Sequence, residues 1–138
     1  MSNTTHARYL EAEVLGASPV KLVEMMYRAA LQSVVAARRH LRDGNIRERS
    51  RSIGKAREIV NELMLSLNHD AGGVISRNLV ELYAYIQSRL ITANAEQTDA
   101  PLAEVEQLLT VLADAWRSVP PAAAPVALAH DPEFARAF

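Results

Sequence analysis

The sequence predicts an all-α protein, an antiparallel four-helix bundle, on three observations. Proline is absent from positions 20 to 100, so nothing breaks a helix there. Apolar residues recur in alternating steps of three and four, the spacing that keeps one stripe of a helix turned to a partner. The corners between these stretches are short and rich in Gly, Asn and Asp, so consecutive helices should run antiparallel. Alternation with a period of two is nowhere sustained, and strands are not expected.

Each element can be justified in order. Residues 1–17 are expected to form an amino-terminal arm, with Tyr9, Leu10, Val14 and Leu15 ahead of the first helix. Ser18 can cap that helix, and Pro19 suits its first position, where the missing N–H costs nothing. Its inward seam reads Val20, Val23, Tyr27, Ala30, Val34, Ala37, Leu41, and Asp43-Gly44-Asn45 stops it. A second helix is expected from about Arg47 to Leu67, with Ile53, Ala56, Val60, Leu63 and Leu67 inward. The corner Asn68 to Gly73 leads to a third from about Val74 to Ala95, with Ile75, Leu79, Leu82, Ile86 and Ala93 inward. Asp99 can cap a fourth, with Pro101 in its first turn and a seam of Leu102, Val105, Leu109, Leu112, Trp116 and Val119. Trp116 is thus expected in the core. Pro120-Pro121 ends the bundle (18–119), and the Pro/Ala-rich residues 120–138 are expected to be a flexible tail.

A chain of 138 residues suits one domain. At this size roughly two thirds of the unfolded surface can be buried. There is no cysteine, hence no disulfide, thiolate metal site or thiol nucleophile. The amino terminus lacks the basic-then-apolar pattern of a signal peptide. No apolar run approaches the roughly 18 residues of a membrane span. A soluble, cytoplasmic protein is expected.

The chemistry-bearing residues are sparse. A di-iron bundle needs Glu and His three apart on inward faces, and no Glu here has a His three residues later. His6, His40, His69 and His130 fall near termini or corners. No Asp or Glu lies on a seam, so a buried acid–base pair is not expected. Phosphate loop and nucleophile elbow are missing from the sequence. The expectation is a protein that is not an enzyme, with no cofactor, no metal and no small-molecule substrate. Charge is uneven. Residues 38–57 carry eight Arg or Lys against Asp43 and Glu48, a net of +6, and residues 58–138 carry a net of −7. The basic stretch has no aromatic residue for base stacking, so nucleic acid is not the expected partner. A general helical adaptor that docks RNA or an acidic protein on this corner is the alternative reading.

What sets the sequence apart is surplus apolar surface. Leu22, Met25, Val35, Leu65, Val80, Ile91 and Val111 lie outside the seams, and Ile59, Met64, Tyr83, Tyr85 and Leu90 sit at their edges. Single exposed apolar residues are ordinary. Several on four helices suggest grooves on the outside of the bundle, natural beds for amphipathic peptide helices.

Four segments, in order, resemble the FliS family of flagellar secretion chaperones. They are "YLEAEVLGASPVKLVEMMY" (Tyr9–Tyr27), "GKAREIVNELMLSLN" (Gly54–Asn68), "GGVISRNLVELYAYIQSRLITAN" (Gly72–Asn94) and "LAEVEQLLTVLADAW" (Leu102–Trp116). The third is the most characteristic, with Asn-Leu, Leu-Tyr-x-Tyr-Ile, Arg-Leu and Ala-Asn at the family's spacings. One departure is Val74, where the family often places an acidic residue, and no effect on the fold is expected. The resemblance implies a cytoplasmic helical bundle that holds the disordered carboxy-terminal segment of flagellin on its outer surface, prevents premature polymerisation, and passes the complex to a membrane protein of the export gate. The client-binding candidates are then Tyr9, Leu10, Leu22, Met25, Ile59, Val80, Tyr83, Tyr85 and Ile91.

An arm with four apolar residues just outside a capped helix is expected to cover part of an empty client groove, since burial gains about 25 cal/mol per Å² against the entropy of ordering the chain. Deleting residues 1–15 should therefore raise affinity for the flagellin segment, or speed association at unchanged affinity. A marked loss of affinity in both this deletion and Tyr9→Ala, measured by calorimetry, would instead make the arm a direct contact.

Overall fold

In the computed structural model, residues 19–67 and 69–119 are described. They form four helices: α1 (Pro19–Arg42), α2 (Ile46–Leu65), α3 (His69–Glu96) and α4 (Ala100–Arg117). No β-strand occurs among the described residues. The arm, Ser18 and the tail lie outside them.

The stops follow from local chemistry. At the end of α1, Gly44 takes φ +72°, the left-handed conformation that glycine enters without a Cβ penalty. The Gly44 and Asn45 N–H groups then reach back to the carbonyls of Leu41 and His40, which would otherwise be unpaired. Asn45 also opens α2, its Oδ1 accepting from the Glu48 N–H at 3.2 Å. The end of α2 is closed by buried Ser66, whose hydroxyl donates to the Leu63 carbonyl at 2.7 Å. α3 is interrupted at Gly73 (φ +51°, ψ −121°), so its long regular run begins at Val74, with a short helical turn before it. Its far end needs a left-handed residue again, and there Gln97 adopts φ +53°.

The helices form a ring in which α1 and α3 are diagonal, each flanked by α2 and α4. α1 packs more closely on both neighbours than α3 does. α1 is accordingly buried along its length: Val23, Tyr27, Ala30, Val34 and Ala37 are shut off from solvent. Ile53, Ala56, Val60 and Leu63 of α2 are buried as their spacing predicts, and Leu67 is buried too, although the helix stops at Leu65, two residues short of the expected end. So are Leu102, Val105, Leu109 and Trp116 of α4, although Ala113 takes the inner place expected of Leu112, which is half-buried.

Three expectations are corrected. On α3 the inner stripe is Leu79, Tyr83, Ile86, Leu90 and Ala93, in steps of four and three. Tyr83, placed at the seam edge by its position, is only 1% exposed, Leu90 is fully buried, and Leu82 is half-buried. Both 82 and 83 fit a helical step from Leu79. Tyr83 turns inward because its hydroxyl meets that of Tyr27, and a buried hydroxyl needs such a partner. Ile75 is 59% exposed instead of inward, because it stands one turn from the break at Gly73, at the end of the bundle. Leu22 is only 7% exposed instead of outward, because α1 is covered on two sides and buries an arc wider than a coiled-coil seam.

The centre of the core is aromatic. The Tyr27 ring lies 6.4 Å from Tyr83 and 6.1 Å from Trp116, centroid to centroid, at tilted angles favourable for aromatic pairs. Burial pushes the Tyr27 hydroxyl up to about 12 and raises that of Tyr83 as well, so both stay protonated through the physiological range. Tyr83→Phe should cost about 1–3 kcal/mol, because the buried Tyr27 hydroxyl then loses this partner and keeps only Trp116. The double change Tyr27→Phe with Tyr83→Phe should cost clearly less than the sum of the singles in a denaturant double-mutant cycle. Simple additivity would mean that the hydroxyls are not coupled.

Candidate interaction surface

Polar contacts between helices show which edge of each helix faces which neighbour. From α3, Asn94 Oδ1 accepts from Arg49 Nε and Ser50 Oγ of α2, both at 3.1 Å, and Gln87 Nε2 donates to the Arg57 carbonyl at 2.8 Å. Positions 80, 84, 87, 91 and 94 form one row at helical spacing, so Val80, Ala84 and Ile91 share the border with α2. On the other edge Tyr85 Oη and Arg89 Nε both donate to Glu104 of α4, each at 2.7 Å. Tyr85 therefore stands over the α3–α4 border, where Leu108 and Leu112 of α4 are partly buried. The bond from Tyr85 and the Arg89 guanidinium hold the Glu104 carboxyl below its ordinary range, and the same bond raises the Tyr85 hydroxyl.

The sequence candidates divide accordingly. Val80, Tyr85 and Ile91 are brought to the flanks of one helix, with Tyr85 and Ile91 exposed and Val80 half-buried. Met25 is exposed on α1, across the ring from α3, and Ile59 is half-buried on α2. Leu22 and Tyr83 are core residues and offer no outer surface. Tyr9 and Leu10 lie outside the described residues. Val35, Leu65 and Val111 are exposed, as their positions predict. Ile46, Val74 and Ile75 are exposed too and were not among the candidates. Each stands within two residues of a helix start or break, where a helical wheel drawn through the middle of a helix no longer reports cover. The α2–α3 border also holds a buried acceptor, Gln87 Oε1, with no partner among the described residues.

Ionic contacts tie the rest of the ring together. Arg38 of α1 grips Asp99 at both oxygens (2.8 and 2.9 Å) and reaches Glu106 of α4 at 3.1 Å. The Asp99 carboxylate is therefore not the helix cap its position suggests, and makes no side-chain bond to the α4 amides. Arg38 lowers its pKa, first through the hydrogen bonds. Glu24, off the α1 seam, is nevertheless buried, with Lys21, Arg28 and Arg117 of α4 all within 3.4 Å. Two cations of the basic stretch, Arg38 and Arg49, are thus internal ties. No group of three or more potential metal ligands occurs among the described residues. No described helix is long and apolar enough to cross a membrane.

Four helices joined by polar ties, with apolar strips along the borders of α3, make an all-α bundle. The sequence model of the family described as "Flagellar protein FliS" matches residues 1–123. The chain is similar to the flagellar secretion chaperone FliS of Salmonella typhimurium, 37% identical over 115 residues that cover 83% of this chain and 85% of that protein. It is 34% identical to the Escherichia coli protein of the same name over 109 residues (78% and 80%) and 29% identical to that of Bacillus subtilis over 112 residues (81% and 83%). The chain belongs to the FliS family, the flagellar secretion chaperones.

The Arg38–Asp99 contact gives a pH test. A carboxyl whose folded pKa is lowered adds stability above its unfolded value, about pH 4, and that stability is lost as pH falls through the lower folded value. The pair is partly exposed, so its worth is below about 1 kcal/mol after screening. Asp99→Asn should lower the melting temperature at neutral pH, and the gap to wild type should close in acid. A gap that persists unchanged in acid would assign the effect to packing.

Proposed function

We propose that this protein is an export chaperone for flagellin. It holds the disordered carboxy-terminal segment of flagellin on its outer surface in the cytoplasm, keeps subunits from polymerising, and delivers them to the membrane export gate. Family membership supports the chaperone role. The observation that carries the client site is the pair of apolar strips on the borders of α3, with Ile91 and Val80 toward α2 and Tyr85 toward α4. A helix of the client laid along either border covers side chains that the bundle leaves open. The loose packing of α3 permits small adjustments to the incoming helix. The reaction is association alone, and no residue is assigned a catalytic role.

A general adaptor that binds RNA or acidic proteins through residues 38–57 is the second reading. It is weakened by the use of Arg38 and Arg49 within the fold. Salt separates the two, because phosphate contacts weaken steeply with salt and apolar groove contacts do not.

Calorimetry with the carboxy-terminal flagellin segment is the direct test. Ile91→Ser and Tyr85→Ser should each weaken binding about tenfold while the melting temperature barely moves, the behaviour of an exposed binding contact. Substitutions that lower stability without touching affinity would remove the α3 borders from the client site.

A further inference from the structure

The α3–α4 border is the loosest of the four in the ring, and the chain leaves the bundle at one end of it. We propose that the chain's own carboxy-terminal segment, residues 126–138, folds back onto this border and anchors there through Phe134 and Phe138. The segment then occupies the border in the free protein and competes with a client for it. The competition rests on the flagellin-client reading, and the docking does not.

The border is an apolar strip. Tyr85 and Arg89 of α3 meet Glu104 of α4. Val111 stands about two turns from Glu104 on the same face of α4 and is exposed, beside Leu108 and Leu112, which are partly buried. On α3 the strip runs from Tyr85 through Leu82 to Ile75 at helical spacing, and Ile75 is exposed. Counting equally along the two antiparallel helices from the Arg89–Glu104 contact brings Ser76 level with Arg117, the last residue of α4. The foot of the strip, at Ile75, is therefore where the chain leaves α4.

The segment that leaves there has the side chains such a strip takes. Both phenylalanines of the chain are in it, while the core is built on Tyr27, Tyr83 and Trp116. Asp131 suits a helix cap and Pro132 the first helical position, and Phe134 and Phe138, four apart, then share one face. Residues 120–130 separate Val119 from Asp131. A Pro-rich spacer of that length spans ~34 Å, and the strip from Ile75 to Tyr85 is ~15 Å long. So short a tether holds the segment at an effective concentration in the millimolar range, and weak apolar contact then suffices to fill the strip.

The amino-terminal arm is the less suited occupant. It leaves from α1, diagonal to α3, and would have to cross α2 or α4 to reach this border. The arm also falls within the match to the family's sequence model, which stops at residue 123, so the fold-back belongs to a part of this chain beyond the family pattern.

The chain has no cysteine, so Ala137→Cys gives the full protein one site for a nitroxide. The methyl resonances of Ile75, Leu108 and Val111 should then be broadened severalfold more than those of Ile59 on α2. Phe134→Ser combined with Phe138→Ser in the labelled chain should abolish the effect without changing the circular dichroism melt, and Val111→Ser, on the other side of the contact, should reduce it. Broadening that is missing, that falls on Val80 and Ile91 instead, or that survives the double substitution would overturn the proposal. So would broadening that persists when label and isotope are on different chains, which would assign the strip to a second copy. In calorimetry with the carboxy-terminal flagellin segment, the double substitution should raise affinity about threefold to tenfold, because self-occupancy lowers the competent fraction. Unchanged affinity would overturn the competition. No client binding by any variant would count against the flagellin reading, and the label would still decide the docking.

Discussion

Two hydroxyl groups meet in the middle of the bundle, and the orientation of α3 follows from them. Tyr27 comes from α1 and Tyr83 from α3, the two helices that are diagonal in the ring. Both phenols are buried and need partners inside the protein: Tyr83 has Tyr27, and Tyr27 has Tyr83 and Trp116. With Tyr83 fixed inward, a rise of 100° per residue decides where its neighbours go. Val80, Gln87 and Ile91 turn to α2, and Tyr85 and Arg89 turn to α4. A rotation of one residue, with Leu82 inward, would replace that pair by a purely apolar contact and would move both borders. The apolar strips outside are thus set by a polar contact inside.

The charges around this core divide the labour differently at the two ends. At one end, Glu24 draws Arg117 of α4 to α1, within a shell that includes Lys21 and Arg28. At the other, Arg38 gathers the start of α4 and Arg49 holds the last turns of α3. Such contacts add modestly to stability, since most are partly exposed. Their greater effect is on register. A guanidinium that grips both oxygens of Asp99 fixes where α4 begins relative to α1, which apolar side chains alone would leave free to slide by a turn.

The helices themselves were legible in the sequence, because each is long, strongly periodic and bounded by turn residues. Gly44 and Asn45 announced the first corner. The seam residues expected on the first two helices are buried except Leu41, which is half-buried, although Leu67 lies two residues beyond the end of α2. The sequence was ambiguous where two apolar residues are adjacent. Leu82 and Tyr83 both fit the period of α3, and only a partner hydroxyl 56 positions away decides between them. Leu112 and Ala113 pose the same choice on α4. The surface was less legible than the core. Exposure at Ile46 and Ile75 depends on where neighbouring helices end, and periodicity carries no information about that. The stop of α3 was hidden as well, because Gln97 fills a left-handed position usually given to Gly or Asn.

Asn45 belongs to two helices at once: its N–H closes α1 on the His40 carbonyl, and its side chain opens α2 at Glu48. One residue therefore ends one helix and starts the next within a connection of three residues. Closing so short a loop costs little chain entropy. Of all the pairings in the ring, α1 with α2 is both local in sequence and the closest-packed. The α4 pairing with α1 must instead wait for the chain to traverse α2 and α3. Contacts near in sequence form fastest. The α1–α2 hairpin is thus the pairing that chain entropy favours first, and α3, whose flanks stay open, is the helix that adds least to it.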